Sequence, residues 1–271
     1  MTGFQTSIGY SDASSIRLLG QDLAGDLMGE VGFAELAFWL VAMRRPAPGE
    51  LRVFEAVLVA LADHGFTPSA IAARLTLTGA PESVQGAMAA GLLGGGSRFL
   101  GVTEDTGRFL DVALERHRSH GGELPDSDEG WDVLARNVVR EQLAAGRYIP
   151  GLGHNVHKQA DPRTSVLLRV AADEGRLGPH LRLFEAIGRV HPELLRRTLP
   201  LNGAGVCGAA LCDLGFPADI LRGFALLARA AGLLGHIAEE MRRPVGMDIY
   251  EEVDRATEYE PPSPAAEPES G

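Results

Sequence analysis

Residues 148–166 read Tyr148-Ile149-Pro150-Gly151-Leu152-Gly153-His154-Asn155-Val156-His157-Lys158-Gln159-Ala160-Asp161-Pro162-Arg163-Thr164-Ser165-Val166. Two histidines, a lysine and an arginine gather beside glycines, which let backbone come close to a ligand. Asp161-Pro162 is a helix-start signal, with aspartate as N-cap and proline at the first helical position. That puts Arg163 in a first turn, where free N–H groups and the positive end of the helix dipole favour an anion. The stretch reads either as a small-acid site or as a solvated polar loop. An amphipathic pattern over 131–145 leads into it and a helical pattern over 163–174 follows, so it joins two helices.

The rest of the chain supports a helical reading. Its 271 residues can bury a sizeable core, as one large domain or as two lobes, and are 45% hydrophobic but only 6% aromatic. Abundant Ala, Leu and Gly with few β-branched runs favour helix over sheet. A net charge of −11 argues against nucleic acid and against an anionic membrane surface. An anionic substrate must then be drawn in by a local cluster of cations. Cys207 and Cys212 have no His or Cys at metal-ligand spacing nearby, and a reducing, cytoplasmic compartment is expected. No signal-peptide pattern opens the sequence, and the apolar segments 32–43 and 223–238 are short of a membrane span. A soluble protein is expected.

In chain order, 15–19 alternates as a short strand or extended arm would. Helical spacing covers 27–45, ended by Pro46 and Pro48, and then runs from about Glu50 to Asp63-His64-Gly65, with Gly65 as a left-handed cap. Two short helices follow Pro68 and Pro81, the second broken at Gly94-Gly95-Gly96. Further helices are predicted over 105–117, 181–190 and 206–214, with a polar loop over 119–130. The last strong one runs from about Pro217 to Arg243. Residues 258–271 are rich in Pro, Glu and Ser and are expected to be disordered.

Arg229 sits among apolar and tiny residues, where a cation is costly unless an anion meets it. That anion is either a protein carboxylate or a ligand. Arg222, Arg229, His236 and Arg243 are spaced by seven and form one slowly drifting stripe; Arg222 and Arg243 also read as surface residues. His64 ends an apolar helix, as a buried histidine satisfied by a carbonyl or as a carboxylate ligand. Three motifs carry little weight. Gly203-Ala-Gly205-Val-Cys-Gly208 matches a dinucleotide fingerprint but follows no strand. His154 and His157 with Asp161 suggest a metal, but the glycines before them disfavour a helical ligand face, and no metal is expected. Residues 94–96 lack the Gly-Lys-Ser/Thr of a phosphate loop.

Several ordered segments together resemble the citrate synthase superfamily over about 6–248, especially the short citryl-CoA lyases and the C-terminal citrate-synthase-like part of ATP-citrate lyase. They are Gly29-Glu-Val-Gly-Phe-Ala-Glu-Leu36, Ala62-Asp-His-Gly65, Ala90-Gly-Leu-Leu93, Ile149-Pro-Gly-Leu-Gly-His154, Asp161-Pro-Arg163, Leu211-Cys-Asp-Leu-Gly-Phe216 and Ala228-Arg-Ala-Ala-Gly-Leu-Leu-Gly-His236. The resemblance implies an all-α homodimer with a large and a small helical lobe and an active site in the cleft. The expected segments are 1–104 and 208–255 for the large lobe, 105–207 for the small lobe and 256–271 for a tail. It further implies that His64 binds a carboxylate of oxaloacetate or citrate and that His154 hydrogen-bonds the carbonyl that becomes the citryl hydroxyl. Arg163 and Arg229 would clamp carboxylates, and Arg243 would reach into the partner's site. Bidentate guanidinium–carboxylate pairing suits three arginines to a tricarboxylate.

Three positions depart from the family pattern. Ala204 falls where the family carries the aspartate that handles the acetyl methyl group. Phe99 falls where many members carry a histidine that steadies the thioester enolate, and Asn155 replaces a common arginine beside the loop histidine. Glu104, Asp105 and Cys207 are candidates for the missing acid–base group. The expectation is a carbon–carbon lyase of citryl-CoA lyase type, or its reverse condensation. It would act on a CoA thioester and a 2-oxo acid such as oxaloacetate, with His154 and His64 catalytic, Arg163, Arg229, Arg243 and Asn155 on substrate, and no metal or redox cofactor. The alternative is a family member that binds di- or tricarboxylates without citrate chemistry, or acts on a different 2-oxo or 2-hydroxy acid.

Overall fold

The structure is a computed structural model that describes residues 3–262. Eleven α-helices dominate it, as the composition predicts. A three-stranded antiparallel meander, β1 (Gly9–Ser11), β2 (Ile16–Leu18) and β3 (Gln21–Asp22), opens the chain. Thus the 15–19 alternation is a strand.

The helices are α1 (Phe33–Ala42), α2 (Pro48–Ala62), α3 (Pro68–Gly79), α4 (Val84–Leu100), α5 (Val102–Ser119) and α6 (Asp128–Ala144). After the central loop come α7 (Pro162–Asp173), α8 (Pro179–Leu195), α9 (Gly203–Asp213), α10 (Leu221–Arg242) and α11 (Gly246–Ala256). The helix expected over 27–45 is shorter, because a π-type turn at Leu23–Leu27 and Gly29, at φ +86°, delay its start. The break expected at 94–96 is a kink at Gly96, where φ 49° and ψ −168° interrupt α4. Gly65, at φ +70°, follows α2 as expected. Of the expected disordered tail, 263–271 lie outside the described residues, while 257–262 are exposed and without regular structure.

Contacts divide the chain into two compact units, Met1–His64 with Gly95–Gly232, and Gly65–Gly94 with Leu233–Gly271. These bounds differ from the 1–104, 105–207 and 208–255 segments: α9 runs across residue 207 and packs along α5 within the first unit. In the first unit, Phe38, Phe54, Phe216 and Phe224 form an aromatic knot, with Phe38 edge-on to Phe54 at 5.4 Å. Each such ring, fully buried, contributes about 1.5–3 kcal/mol.

The glycine series of the apparent dinucleotide fingerprint has a packing explanation. A Cβ on Gly208 would stand 2.2 Å from the Thr103 carbonyl oxygen, and one on Gly205 would stand 2.7 Å from the Gly151 Cα. At the other end of α9, Asp213 accepts the N–H groups of His180 and Leu181, at 3.0 and 2.9 Å, and so caps α8.

In the second unit, Arg74 is 1% exposed and pairs with Glu239 and, at 2.8 Å, with Glu240. Glu240 also accepts the N–H groups of Val245 and Gly246 at the start of α11. His236 hydrogen-bonds Arg74.

The helical run Ala218–Arg242 is, by length and composition, apolar enough to cross a membrane, with a mean hydropathy of 1.4. Leu221, Phe224, Ala225 and Ala228 supply the first unit's core, and Leu233 and Ile237 the second's, which accounts for that apolarity.

Candidate active site

The central loop is fastened to the start of α9. Gly153 donates to the Pro200 carbonyl at 2.7 Å, Asn202 donates to the Gly151 carbonyl at 2.9 Å, and Leu152 and Leu201 form an antiparallel bridge. The Asn202 side chain donates to the Gly153 carbonyl and caps α9 by accepting from Gly205 N–H, both at 2.8 Å. Gly151, at φ +80°, leaves no room for a side chain, since a Cβ would meet Phe184 at 2.6 Å. This clamp fixes the place from which His154 emerges.

His154 is locked in one tautomer. Its Nδ1 accepts the backbone N–H groups of Val156 and His157, each at 3.0 Å. A nitrogen accepting hydrogen bonds carries no proton, so the proton of the neutral ring lies on Nε2, which is a donor. Burial lowers the His154 pKa; Asp161 opposes this, while His157, His64 and Arg163 add to it. His154 is therefore a neutral hydrogen-bond donor.

The rings of His64 and His157 pack beside it. Ring centroids lie 4.6 Å apart for His154 and His157, 5.3 Å for His64 and His154, and 5.5 Å for His64 and His157. His64 and His157 are half-buried. One ligand atom from each ring lies within 4.8 Å of the others, a spacing that admits a metal ion. Three-histidine ligation does not fit, however, because the only lone pair of His154 already receives two backbone N–H groups.

Asp161 starts α7 as expected, accepting from Arg163 N–H at 3.1 Å behind Pro162. It does more than cap. Arg163 forks onto it, Nε to Oδ1 at 3.0 Å and Nη2 to Oδ2 at 2.7 Å, and Gly203 N–H donates to Oδ2 at 2.7 Å. Burial alone would raise the Asp161 pKa, but these bonds outweigh it and hold the carboxyl well below the usual range. Arg163 also donates to the Ala60 carbonyl at 3.2 Å, so its charge is largely answered within the protein and only part of its donor set is free.

Arg229 differs. It is 7% exposed, its Nε and Nη1 have no hydrogen-bond partner, and Asp63 Oδ1 lies 3.7 Å from Nη1, too far for a hydrogen bond. Burial lowers its pKa, Asp63 resists and the nearby Arg163 adds to the lowering. Buried donors without partners beside a second guanidinium are an arrangement that an anion completes.

Asn155 is exposed, and so is Arg243, between α10 and α11. Phe99 is 41% exposed, on the last turn of α4. Ala204 is half-buried in the first turn of α9. Glu104 is held by Arg108 and Arg222, and Asp105 lines a groove of about 540 Å³ beside Phe109, Val112, Val138 and Tyr148. Cys207 is fully buried, and burial pushes its thiol up to about 12, with Arg163 opposing. A thiol so raised is no base near neutrality.

The family model for the citrate synthase C-terminal domain matches residues 13–248. The chain belongs to the citrate synthase family. Its fold superposes on a citryl-CoA lyase from Hydrogenobacter thermophilus with a TM-score of 0.82 and 29% identity, covering 98% of this chain and 97% of that one. An ATP citrate lyase from Methanosaeta concilii, solved in complex with (3S)-citryl-CoA, gives a TM-score of 0.74 over 97% of this chain and 42% of that one, and at 23% identity this likeness is one of fold. Among curated proteins, citrate synthase 2 of Bacillus subtilis is 24% identical over 212 residues, covering 78% of this chain and 53% of the relative. The chain spans about half the length of the curated relatives it matches.

Sequence reasoning brought His64, His154, Arg163 and Arg229 to one region, and the first unit contains all four. It left His157 without a role and read Asp161 as a helix cap and a disfavoured metal ligand, not as the partner of Arg163. The signal for the latter was present, because an arginine two residues after a buried N-cap aspartate is within reach of it.

Proposed function

We propose that this protein makes or breaks the carbon–carbon bond between an acyl-CoA enolate and a 2-oxo acid such as oxaloacetate, as a citryl-CoA lyase does. The observation that carries the reading is Arg229, a buried guanidinium with unpaired donors, close enough to Arg163 to feel its charge. In the cleavage direction the tertiary hydroxyl of citryl-CoA loses its proton, the carbon–carbon bond breaks, and the oxygen becomes a carbonyl. The Nε2–H of His154 holds that oxygen throughout, while Arg229, His64 and the free donors of Arg163 hold carboxylates. Citryl-CoA and CoA are bound by proteins of similar fold, and a CoA thioester is the co-substrate proposed here. We also propose a homodimer in which Arg243 reaches the partner's site. Purified protein is tested with citryl-CoA, following oxaloacetate release, and with acetyl-CoA plus oxaloacetate, following free thiol. Inactivity in both directions defeats the reading.

Ala204 favours one alternative, a carboxylate-binding protein that lacks citrate chemistry. Calorimetry that finds tight citrate binding without affinity for CoA thioesters would establish that alternative instead.

A further inference from the structure

We propose that His157 is the acid–base residue of this site, taking the proton from the substrate's tertiary hydroxyl; the proposal rests on the lyase reading above. The geometry of His154 leads to it. His154 can donate to the reacting oxygen but cannot accept its proton, since its one lone pair faces the N–H groups of Val156 and His157. Protonating Nδ1 would turn two hydrogen bonds into donor–donor clashes. A second group with a free lone pair must therefore stand beside it.

The neighbouring groups can be taken in turn. Asp161 has both oxygens committed to Arg163 and Gly203 and is held far below the ordinary carboxylate range. Asp63 faces Arg229, Lys158 donates to the His154 carbonyl at 3.2 Å, and the Cys207 thiol is pushed up to about 12. Glu104 is paired with two arginines, and Asp105 lines the groove beside Phe109 and Tyr148. His64 and His157 remain, and the His157 ring is the nearer to His154, at 4.6 Å against 5.3 Å. No group among the described residues hydrogen-bonds either ring nitrogen of His157. Its backbone N–H is one of the two that fix the His154 tautomer. One turn of chain thus supplies a locked donor and a free base.

The step balances. Neutral His157 takes the hydroxyl proton, and the oxygen's electron pair forms the carbonyl as the carbon–carbon bond breaks. The bonding pair passes into the thioester as an enolate, and the His157 imidazolium protonates the enolate carbon. The net change moves the hydroxyl hydrogen to the new methyl group, which is the transfer that a side chain at position 204 is too short to make.

The test compares wild type, His157→Gln and His64→Gln in citryl-CoA cleavage from about pH 5.5 to about pH 8.5, a range chosen to span histidine titration, with citrate affinity measured by calorimetry. The titratable and charged groups around the histidine cluster are His64, His154, Lys158, Asp161 and Arg163. We expect His157→Gln to lower kcat about 10²–10⁴-fold, to lose the acidic limb of the kcat profile and to keep citrate affinity within about threefold. His64→Gln should weaken citrate binding and retain the limb. An active wild type whose His157→Gln variant keeps kcat within about threefold, keeps the acidic limb, or loses only citrate affinity overturns the role of His157 and leaves the lyase reading standing. A wild type inactive in both directions overturns both. Circular dichroism of each variant establishes that a loss of activity is not a loss of fold.

Discussion

The Arg163 guanidinium lies forked across the Asp161 carboxylate, and the N–H of Gly203 completes that carboxylate's bonding. A Cβ on Gly203 would come within 2.3 Å of Arg163 Nε, so the bare backbone there is what lets the guanidinium lie flat. The pair therefore ties the first turn of α7 to the first turn of α9.

Asp161→Asn should destabilise the protein by about 3–5 kcal/mol, the usual cost of stranding one partner of a buried pair. Because the folded carboxyl is held below its ordinary range, the wild-type contribution is fully present above about pH 4. It is lost as pH falls from there through the lower folded value. Urea unfolding at neutral pH and at about pH 3 checks both points, with the wild-type to Asn difference expected to shrink in acid.

His154 offers a contrast of two amides. His154→Gln can place an N–H near the position of Nε2, whereas His154→Asn can place an oxygen near Nδ1 but presents nothing to the substrate. Cleavage rates should fall about 10²–10³-fold for Asn and distinctly less for Gln. Equal losses would argue against the donor role.

Arg229→Met removes a buried charge whose Nε and Nη1 have no hydrogen-bond partner within the described residues. Thermal unfolding without ligand should show little change or a modest gain, because truncating a poorly compensated buried cation costs little. Citrate affinity should fall at least about tenfold, or about 1.4 kcal/mol. A large loss of stability with unchanged affinity would make Arg229 structural.

Ala204→Asp puts a carboxylate in the first turn of α9, where the helix dipole tolerates it. Condensation of acetyl-CoA with oxaloacetate should appear or rise. A folded variant with no change would argue against Ala204 as the family's aspartate position.

Local signals in the sequence were legible where local physics decides the outcome. Asp161-Pro162 starts α7, Gly65 follows α2, and the glycine run kinks α4 at Gly96. Arg229 was legible as a cation in need of an anion, because its neighbours are too small and apolar to expose it. What could not be read depends on distant backbone. The stripe through Arg222, Arg229, His236 and Arg243 is regular in sequence, yet each member meets a different environment. Glu104 answers Arg222, and Arg74 meets His236. Arg74 itself gave no signal, since its burial follows from Glu239 and Glu240, more than 160 residues away. The histidine cluster was half legible. His64 and His154 were paired by resemblance, while His157 joins them only because the loop after Gly153 doubles back.

The clamp between Gly151–Gly153 and Pro200–Asn202 means that two stretches 49 residues apart in sequence open and close as one. Exchange of the Gly153 and Asn202 amides with solvent deuterium should then slow and quicken together. A substitution that frays the start of α9 would unmoor His154 without touching it. Variation near position 202 is in that sense variation at the reacting oxygen.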